Sequence, residues 1–167
     1  QTCALPIWMG FAVAAEAHAR GADVVLIAGP TSATPPEGPR LVRIETAADL
    51  REAVLAEVGG ADAVVMAAAV ADFRVVSPAT SKRKKGEGVP AFDLEPTVDV
   101  LAELGARSER PVLVGFAAET QDPVPEGRRK LSEKGADLVV ANLVGTPESG
   151  FGTDTNDAAI LAADGAD

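Results

Sequence analysis

Hydrophobic and polar positions along this chain alternate between a helical period and short runs that are almost entirely apolar. In MGFAVAAEAHARG, Phe11, Ala14, Ala15 and His18 fall on one helical face, and Gly21 follows as a natural left-handed cap. The helical period returns in three later segments, which we predict to be helices: AADLREAVLAEV, VLAELGAR and PEGRRKLSEKG.

Apolar runs of strand length stand between these helices. They predict the strands ADVVLIAG, RLVRIE, ADAVVMAAAVAD, RPVLVGFAAET and ADLVVANLVG, with DAAILAAD as an edge strand. Such runs alternating with helices predict a three-layer, Rossmann-like α/β fold, in which helices cover both faces of a mainly parallel sheet. A doubly wound domain opens with a strand and a glycine-rich turn. This chain opens with a helix and contains no G-x-G-x-x-G, so we expect the first strand to be missing.

Composition narrows the class of protein. Hydrophobic residues make up 47% and charged residues 24%, which is typical of a globular domain. The net charge of −10 argues against nucleic acid as a partner, and no apolar run approaches the roughly 20 residues that span a bilayer. A single cysteine excludes a disulfide framework and fits a reducing compartment, so we expect a cytoplasmic protein without a membrane partner.

Two predicted strands end in small residues followed by an acid. One ends in Ala67 to Ala69 before Asp72, and the other in the segment GFAA before Glu119. Ligands of such sheets lie beyond the carboxyl ends of the strands, where small side chains let a ligand approach the backbone. The alternative is that the alanines pack a helix tightly against the sheet, and the pattern alone leaves both interpretations open.

Two segments of this acidic chain are rich in cations. SKRKKGEG contains four of them, and Lys130 and Lys134 share a face of a predicted helix, where both can reach one anion. The alternatives are a solvated surface loop and a surface pair between Glu126 and Lys130. His18, in the last turn of the first helix, fits a packed imidazole near the negative end of the helix dipole, and we assign it no role.

The combined motifs resemble a known family from about Met9 to the last residue. VVMAAAVADFR, KRKK, EPTVDVLAELG, VLVGFAAET, RRKLSEKGADLVVAN and GFGTDTNDAAIL are similar to bacterial phosphopantothenoylcysteine synthetase. In many bacteria this enzyme is the carboxy-terminal half of a bifunctional coenzyme A biosynthesis protein. The resemblance implies a CTP-dependent ligase that uses Mg²⁺, joins 4′-phosphopantothenate to L-cysteine through an acyl-cytidylate, and forms a homodimer when intact.

The family's nucleotide-site residues are carried over where this sequence matches. The resemblance implies that Asp72 binds the nucleotide or its Mg²⁺, and that Lys82, in the basic segment, is the catalytic lysine of a mobile flap. A Pro-Thr-Val-Asp-Val turn replaces the commoner Asn-Pro-Asp-Ile type. The further implied nucleotide-binding residues are Thr97, Val98, Asp99, Val100, Phe116, Lys130 and Lys134.

The opening segment QTCALPIWMG departs from this resemblance and shows neither a helical nor a strand period. Residues 1–7 resemble a translated sequencing-library adapter, so we expect residues 1–8 to be non-native and residues 9–167 to be a ligase domain. The family carries a Thr-x-Gly-Gly-Thr loop and an Asn-x-Ser-Ser-Gly-Lys segment before this point. We therefore expect a fragment, truncated at both ends, that does not complete the reaction.

Two other functions stay open at this level. One is a nucleotide-binding module without catalysis, and the other is a nicotinamide-dependent reductase, which the missing glycine fingerprint disfavours. FMN is expected only in a fused decarboxylase domain outside residues 1–167.

Overall fold

A computed structural model of the chain describes residues 4–77, 81, 91–145 and 157–165. The first helix, α1, spans Ala4–Ala19, so the prediction that the opening residues lack a helical pattern is wrong from Ala4 onward. Pro6 does not prevent the helix, because it stands in the first turn. Backbone N–H groups of the first turn have no partner within the helix, so the N–H that proline lacks costs no hydrogen bond.

The buried face of α1 contains Phe11 and Ala14, as predicted. His18 lies in the last turn of α1 and is exposed. Its ring lies against Gly38, where an added Cβ would come within 2.2 Å of the imidazole. Gly21 ends the helix with a φ of 93°, in the left-handed region that its cap requires.

Two predicted signals are confirmed, the start of α2 and the end of α4. Helix α2 follows Thr46, which forms the predicted capping box with Asp49, and α4 ends at left-handed Gly135. The helices are α2 (Ala47–Glu57), α3 (Val100–Gly105) and α4 (Pro123–Lys134). The strands are β1 (Val25–Ala28), β2 (Arg40–Arg43), β3 (Ala63–Met66), β4 (Phe73–Val75), β5 (Leu94–Pro96), β6 (Val112–Glu119), β7 (Leu138–Leu143) and β8 (Ala158–Ala162).

The main sheet has the strand order β3-β6-β7-β8. Its first three strands are parallel and β8 is the predicted edge strand, paired antiparallel to β7. Strands β1 and β2 form a second parallel pair, and β4 and β5 an antiparallel ribbon. The α/β class with mainly parallel strands is confirmed.

An apolar run such as that of β3 is typical of a strand covered on both faces, but Val65 within it is 42% exposed. Among the described residues, β3 has a hydrogen-bonded neighbour only at β6, and neither β1 nor β2 pairs with it. The parallel strands therefore form two sheets, with an open edge at β3.

The hydrophobic core lies between the main sheet and helices α2, α3 and α4. Helix α4 packs closely on β7, since a Cβ on Gly127 would lie 2.9 Å from that of Ala141. Helix α1 contacts the opposite face, where Met9 meets Asn142. Helices on both faces leave the carboxyl ends of β3, β6 and β7 as the accessible edge. No helix within the described residues is long and apolar enough to cross a bilayer.

Candidate functional site

An open cleft of about 390 Å³ lies at the carboxyl ends of β3 and β6. This is the edge where doubly wound folds bind ligands, and the volume suits a small molecule. Every predicted site residue that the structure describes lines the cleft: Asp72, Thr97, Val98, Asp99, Val100, Phe116, Lys130 and Lys134. Lys82 lies outside the described residues, so its predicted role stays a prediction.

Small residues at the two strand ends serve both of the purposes considered from the sequence. Ala68, Ala69 and Ala118 are exposed to the cleft, where they leave room beside the backbone. Ala117 is fully buried in the core. Gly115 lets α3 approach β6, because an added Cβ would lie 2.9 Å from Cδ2 of Leu101.

The two lysines of α4 reach the cleft and pair with carboxylates there. The Nζ of Lys130 lies 3.4 Å from Glu119, and the Nζ of Lys134 lies 2.5 Å from Asp99. Glu126, the alternative partner of Lys130, forms its ion pair with Arg129, although the positive charge of Lys130 also helps to lower the pKa of Glu126. Both lysines therefore line one cleft, and their binding to a common anion stays a prediction.

Asp99 has a structural and an electrostatic role. Its carboxylate caps α3 by accepting a hydrogen bond from the Ala102 N–H at 2.9 Å, and it also accepts one from Lys134. Burial works to raise the pKa of Asp99, but these hydrogen bonds and the positive charge of Lys134 outweigh burial and lower the pKa. The carboxyl group of Asp99 is therefore ionised at neutral pH.

A backbone hydrogen bond joins the segment after β3 to the segment after β5 at the entrance of the cleft. The N–H of Thr97 donates to the carbonyl oxygen of Asp72 at 2.8 Å. The bond involves only the backbone of Asp72, so its exposed side chain stays available to a ligand. Val98 beside it is exposed, whereas Val100 is only 5% exposed and belongs to the core. The side chain of Val100 therefore supports the floor of the cleft and packs inward.

Lys134 is positioned by a close approach of two helices. A Cβ on Gly105, the last residue of α3, would lie only 1.9 Å from the carbonyl oxygen of Lys134. Glycine at this position lets the end of α4 touch α3, and this contact places Lys134 beside Asp99.

The residues present fit a magnesium ion that arrives with a phosphorylated ligand. Within the described part of the chain, no group of three or more His, Cys, Asp or Glu residues is arranged to hold a metal. Mg²⁺ commonly takes one or two protein carboxylates together with substrate phosphates and water. Asp72 and Asp99 both bring a carboxylate to the cleft, and that of Asp99 already pairs with Lys134.

One site residue, Asn142, was missed from the sequence. It lies at the end of β7, lines the cleft and is 3% exposed. The available signal was a polar residue inside the otherwise apolar run ADLVVANLVG. The amide of Asn142 is buried because α1 packs against it, and the sequence of β7 alone does not show that contact.

Comparison with known proteins places these features in context. The profile of the DNA/pantothenate metabolism flavoprotein C-terminal domain matches residues 8–167. The coenzyme A biosynthesis bifunctional protein CoaBC of Bacillus subtilis is 46% identical over 158 residues, covering 94% of this chain and 39% of that protein. Its counterpart in Mycobacterium bovis is 45% identical over 168 residues, covering 93% of this chain and 40% of that protein.

The chain thus spans about two fifths of the length of these relatives. Among solved structures, the C-terminal domain of a coenzyme A biosynthesis bifunctional protein CoaBC superposes with a TM-score of 0.75 at 37% identity. That match covers 95% of this chain and 69% of the solved chain.

Proposed function

The chain belongs to the DNA/pantothenate metabolism flavoprotein C-terminal domain family, and we propose that it is the CTP-binding part of a phosphopantothenate–cysteine ligase. The names of its relatives support a place in coenzyme A biosynthesis. The observation that carries the proposal is the pair of lysines at one cleft of an acidic protein. CTP and 4′-phosphopantothenate are both polyanions, and such ligands need a local concentration of positive charge.

The proposed reaction has two steps. An oxygen of the 4′-phosphopantothenate carboxylate attacks the α-phosphorus of CTP, and pyrophosphate leaves with the electron pair of the broken P–O bond. The amine of L-cysteine then attacks the acyl carbon of the acyl-cytidylate, CMP leaves, and the amine proton is lost as the amide forms. When bound, Mg²⁺ neutralises charge on the triphosphate.

The described residues have separable roles in this proposal. Lys130 and Lys134 bind the triphosphate, and Asp72 orients the nucleotide or its Mg²⁺. Each of these lysines pairs with a partly exposed carboxylate. Exposed ion pairs of this kind contribute roughly 0–1 kcal/mol to the stability of the fold. A charge-assisted hydrogen bond to a phosphate contributes roughly 1.5–3 kcal/mol. A lysine that leaves its carboxylate to bind the triphosphate therefore gains free energy.

The resemblance assigns chemistry to Lys82. Its ammonium group would face the charge that develops between the carboxylate and the α-phosphate, and so would act on the transition state more than on binding. We also propose, from the resemblance, that the intact protein is a homodimer.

The proposal is tested by titrating the 167-residue chain with CTP and Mg²⁺. We expect Lys130→Ala and Lys134→Ala each to weaken CTP binding by roughly tenfold to a hundredfold, because each removes one charge-assisted contact. Arg129→Ala is the matched control: it removes one positive charge from the same helix, but Arg129 pairs with Glu126 and Glu133 outside the cleft. Equal CTP affinity in all three variants would contradict the proposed site.

A second measurement separates a ligase from a nucleotide-binding module. In a protein as long as the relatives that the chain matches, pyrophosphate release from CTP should depend on 4′-phosphopantothenate. CTP binding without pyrophosphate release would favour the module, and binding of a nicotinamide dinucleotide in place of CTP would favour the reductase.

A further inference from the structure

Two strands of the structure have an edge without a hydrogen-bonded neighbour. Among the described residues, β1 pairs only with β2, and β3 pairs only with β6. The N–H of Arg40 donates to the carbonyl oxygen of Val24, and the N–H of Val112 donates to that of Asp62. Because backbone groups alternate between the two sides of a parallel strand, the next residues turn their N–H and C=O groups to the open edges. These open-edge residues are Val25 and Ile27 in β1, and Ala63 and Val65 in β3.

The two open edges face each other across a common core. Ile27 of β1 and Val64 of β3 pack against the same hydrophobic cluster, to which α2 contributes Leu50. On the other face, α1 contacts β1, and a Cβ on Gly10 of α1 would lie 3.5 Å from the Cβ of Ala67, directly after β3. Since β2 and β6 occupy the far edges of these strands, β1 and β3 enclose a gap with one helix on each face. We call this gap the strand slot.

The chemistry of the strand slot matches an extended apolar peptide. Its two sides present backbone donors and acceptors in a row, which the backbone of another strand satisfies. Its two faces are covered by α1 and α2, so the side chains on both faces of a bound strand need to be apolar. Val65 beside the slot is 42% exposed although it is apolar, and a strand paired with β3 would cover part of it.

The order of the elements indicates which segment fits the slot. In folds of this class, the strand that precedes a helix usually lies beside the strand that follows it. Helix α1 leads into β1, and β2 holds the other edge of β1, so a strand that precedes α1 belongs in the slot. The chain matches a C-terminal domain and covers only 39% of the Bacillus subtilis relative. That relative therefore contains segments that precede the matched region.

We propose that the strand slot binds an extended apolar peptide in trans, as a strand added between β1 and β3. Backbone hydrogen bonds to the open-edge residues hold the peptide, and its side chains are buried between α1 and α2. The binding needs neither of the lysines at the cleft, and its test uses no nucleotide. The inference therefore stands or fails independently of the proposed function.

The test adds synthetic peptides to the 167-residue chain and follows amide hydrogen exchange residue by residue by NMR. The peptides overlap and cover the residues directly before the matched region in the Bacillus subtilis relative. With a peptide at about ten times its Kd, the amides of the open-edge residues should exchange about tenfold more slowly. The amides of Leu26 and Val64, which face β2 and β6, should exchange slowly even without peptide.

A proline on the open edge tests the geometry of the slot. Val65→Pro removes one open-edge N–H and keeps the ladder to β6, because the backbone groups of Val65 face away from β6. Peptide binding should weaken by roughly tenfold or more. Ile160→Pro is the matched control, since Ile160 lies in the edge strand β8 at a position that is not hydrogen-bonded to β7. Its peptide affinity should equal that of the wild-type chain.

Slow exchange of the open-edge amides in the chain alone would overturn this inference, because these edges would already be paired within the chain or with a second copy. Failure of every peptide to bind would overturn it as well, and so would wild-type affinity in Val65→Pro. Should Val65→Pro not fold, a bound peptide is compared with a copy that has proline at alternate residues. The copy should not bind, and equal affinity of the two peptides would again overturn the inference.

Discussion

At the scale of single residues, we predict that the side chain of Asp72 serves a ligand and not the fold. Its side chain is exposed, and the hydrogen bond to the Thr97 N–H involves only its backbone carbonyl. We expect Asp72→Asn to leave the thermal midpoint nearly unchanged, since shape and backbone are kept. In a protein as long as the relatives that the chain matches, ligation should fall by roughly tenfold to a hundredfold, because a charged contact to the nucleotide or its Mg²⁺ is lost. Pyrophosphate release and calorimetric unfolding measure the two effects.

Asp137 provides the matched control for Asp72. Its carboxylate lies 2.5 Å from Arg110 and accepts a hydrogen bond from the Leu113 N–H at 2.7 Å, at the end of the sheet away from the cleft. Asp137→Asn should therefore lower the thermal midpoint and leave CTP binding unchanged. The reverse pattern, with Asp72→Asn unstable but active, would show that Asp72 is structural.

The residues that meet at the cleft were largely predictable, but their partners were not. Spacing on one helix is enough to place Lys130 and Lys134 on a common face. The pairing of Lys130 with Glu119, or of Lys134 with Asp99, depends on how α4 packs against β6 and α3. Side-chain pairing across elements is set by tertiary packing, which a local pattern does not contain.

At the scale of elements, the contact between the ends of α3 and α4 is the most sensitive to substitution. A Cβ on Gly105 would lie 1.9 Å from the carbonyl oxygen of Lys134 and 3.1 Å from that of Gly135. These are backbone atoms, so the helices themselves must separate. We expect Gly105→Ala to destabilise the chain by roughly 1–3 kcal/mol in urea unfolding, despite the better helix propensity of alanine. CTP binding should weaken as well, because Lys134 moves.

Gly59 is the matched control for this substitution. It lies in the short helix Val58–Gly60, and a Cβ there would meet nothing within 4 Å. Gly59→Ala should be neutral or stabilising. Equal stability of the Gly105 and Gly59 variants would contradict the close approach of α3 and α4.

Elements with a long pattern were predicted well, and short ones were missed. The capping box of α2 and the left-handed glycine after α4 are local signals, and both are confirmed. The ribbon of β4 and β5 has three residues in each strand, too few for a period of two to show. The separation of β1 and β2 from β3 depends on which strands lie side by side, a property of the whole sheet.

At the scale of the whole molecule, the acidic groups make stability depend on pH. Five described carboxyl groups have a lowered pKa. Backbone hydrogen bonds at the start of α2 lower that of Asp49, and at Asp99 hydrogen bonds outweigh the effect of burial. Hydrogen bonds from arginines lower the pKa of Glu103, Glu126 and Asp137. In the unfolded chain these groups titrate near their ordinary values of 3.8 for Asp and 4.5 for Glu. As the pH falls through that range, the unfolded state takes up protons first.

The stability that these carboxylates contribute is therefore fully present above about pH 6 and is lost progressively below about pH 4.5. We expect the thermal midpoint to be nearly constant from about pH 7 to about pH 6 and to fall steeply toward about pH 3.5. Asp137→Asn should start from a lower midpoint and fall less over the same interval, because one of the titrating groups is gone. A midpoint that stayed constant to about pH 3.5 in the wild-type chain would show that these ion pairs and caps do not stabilise the folded state.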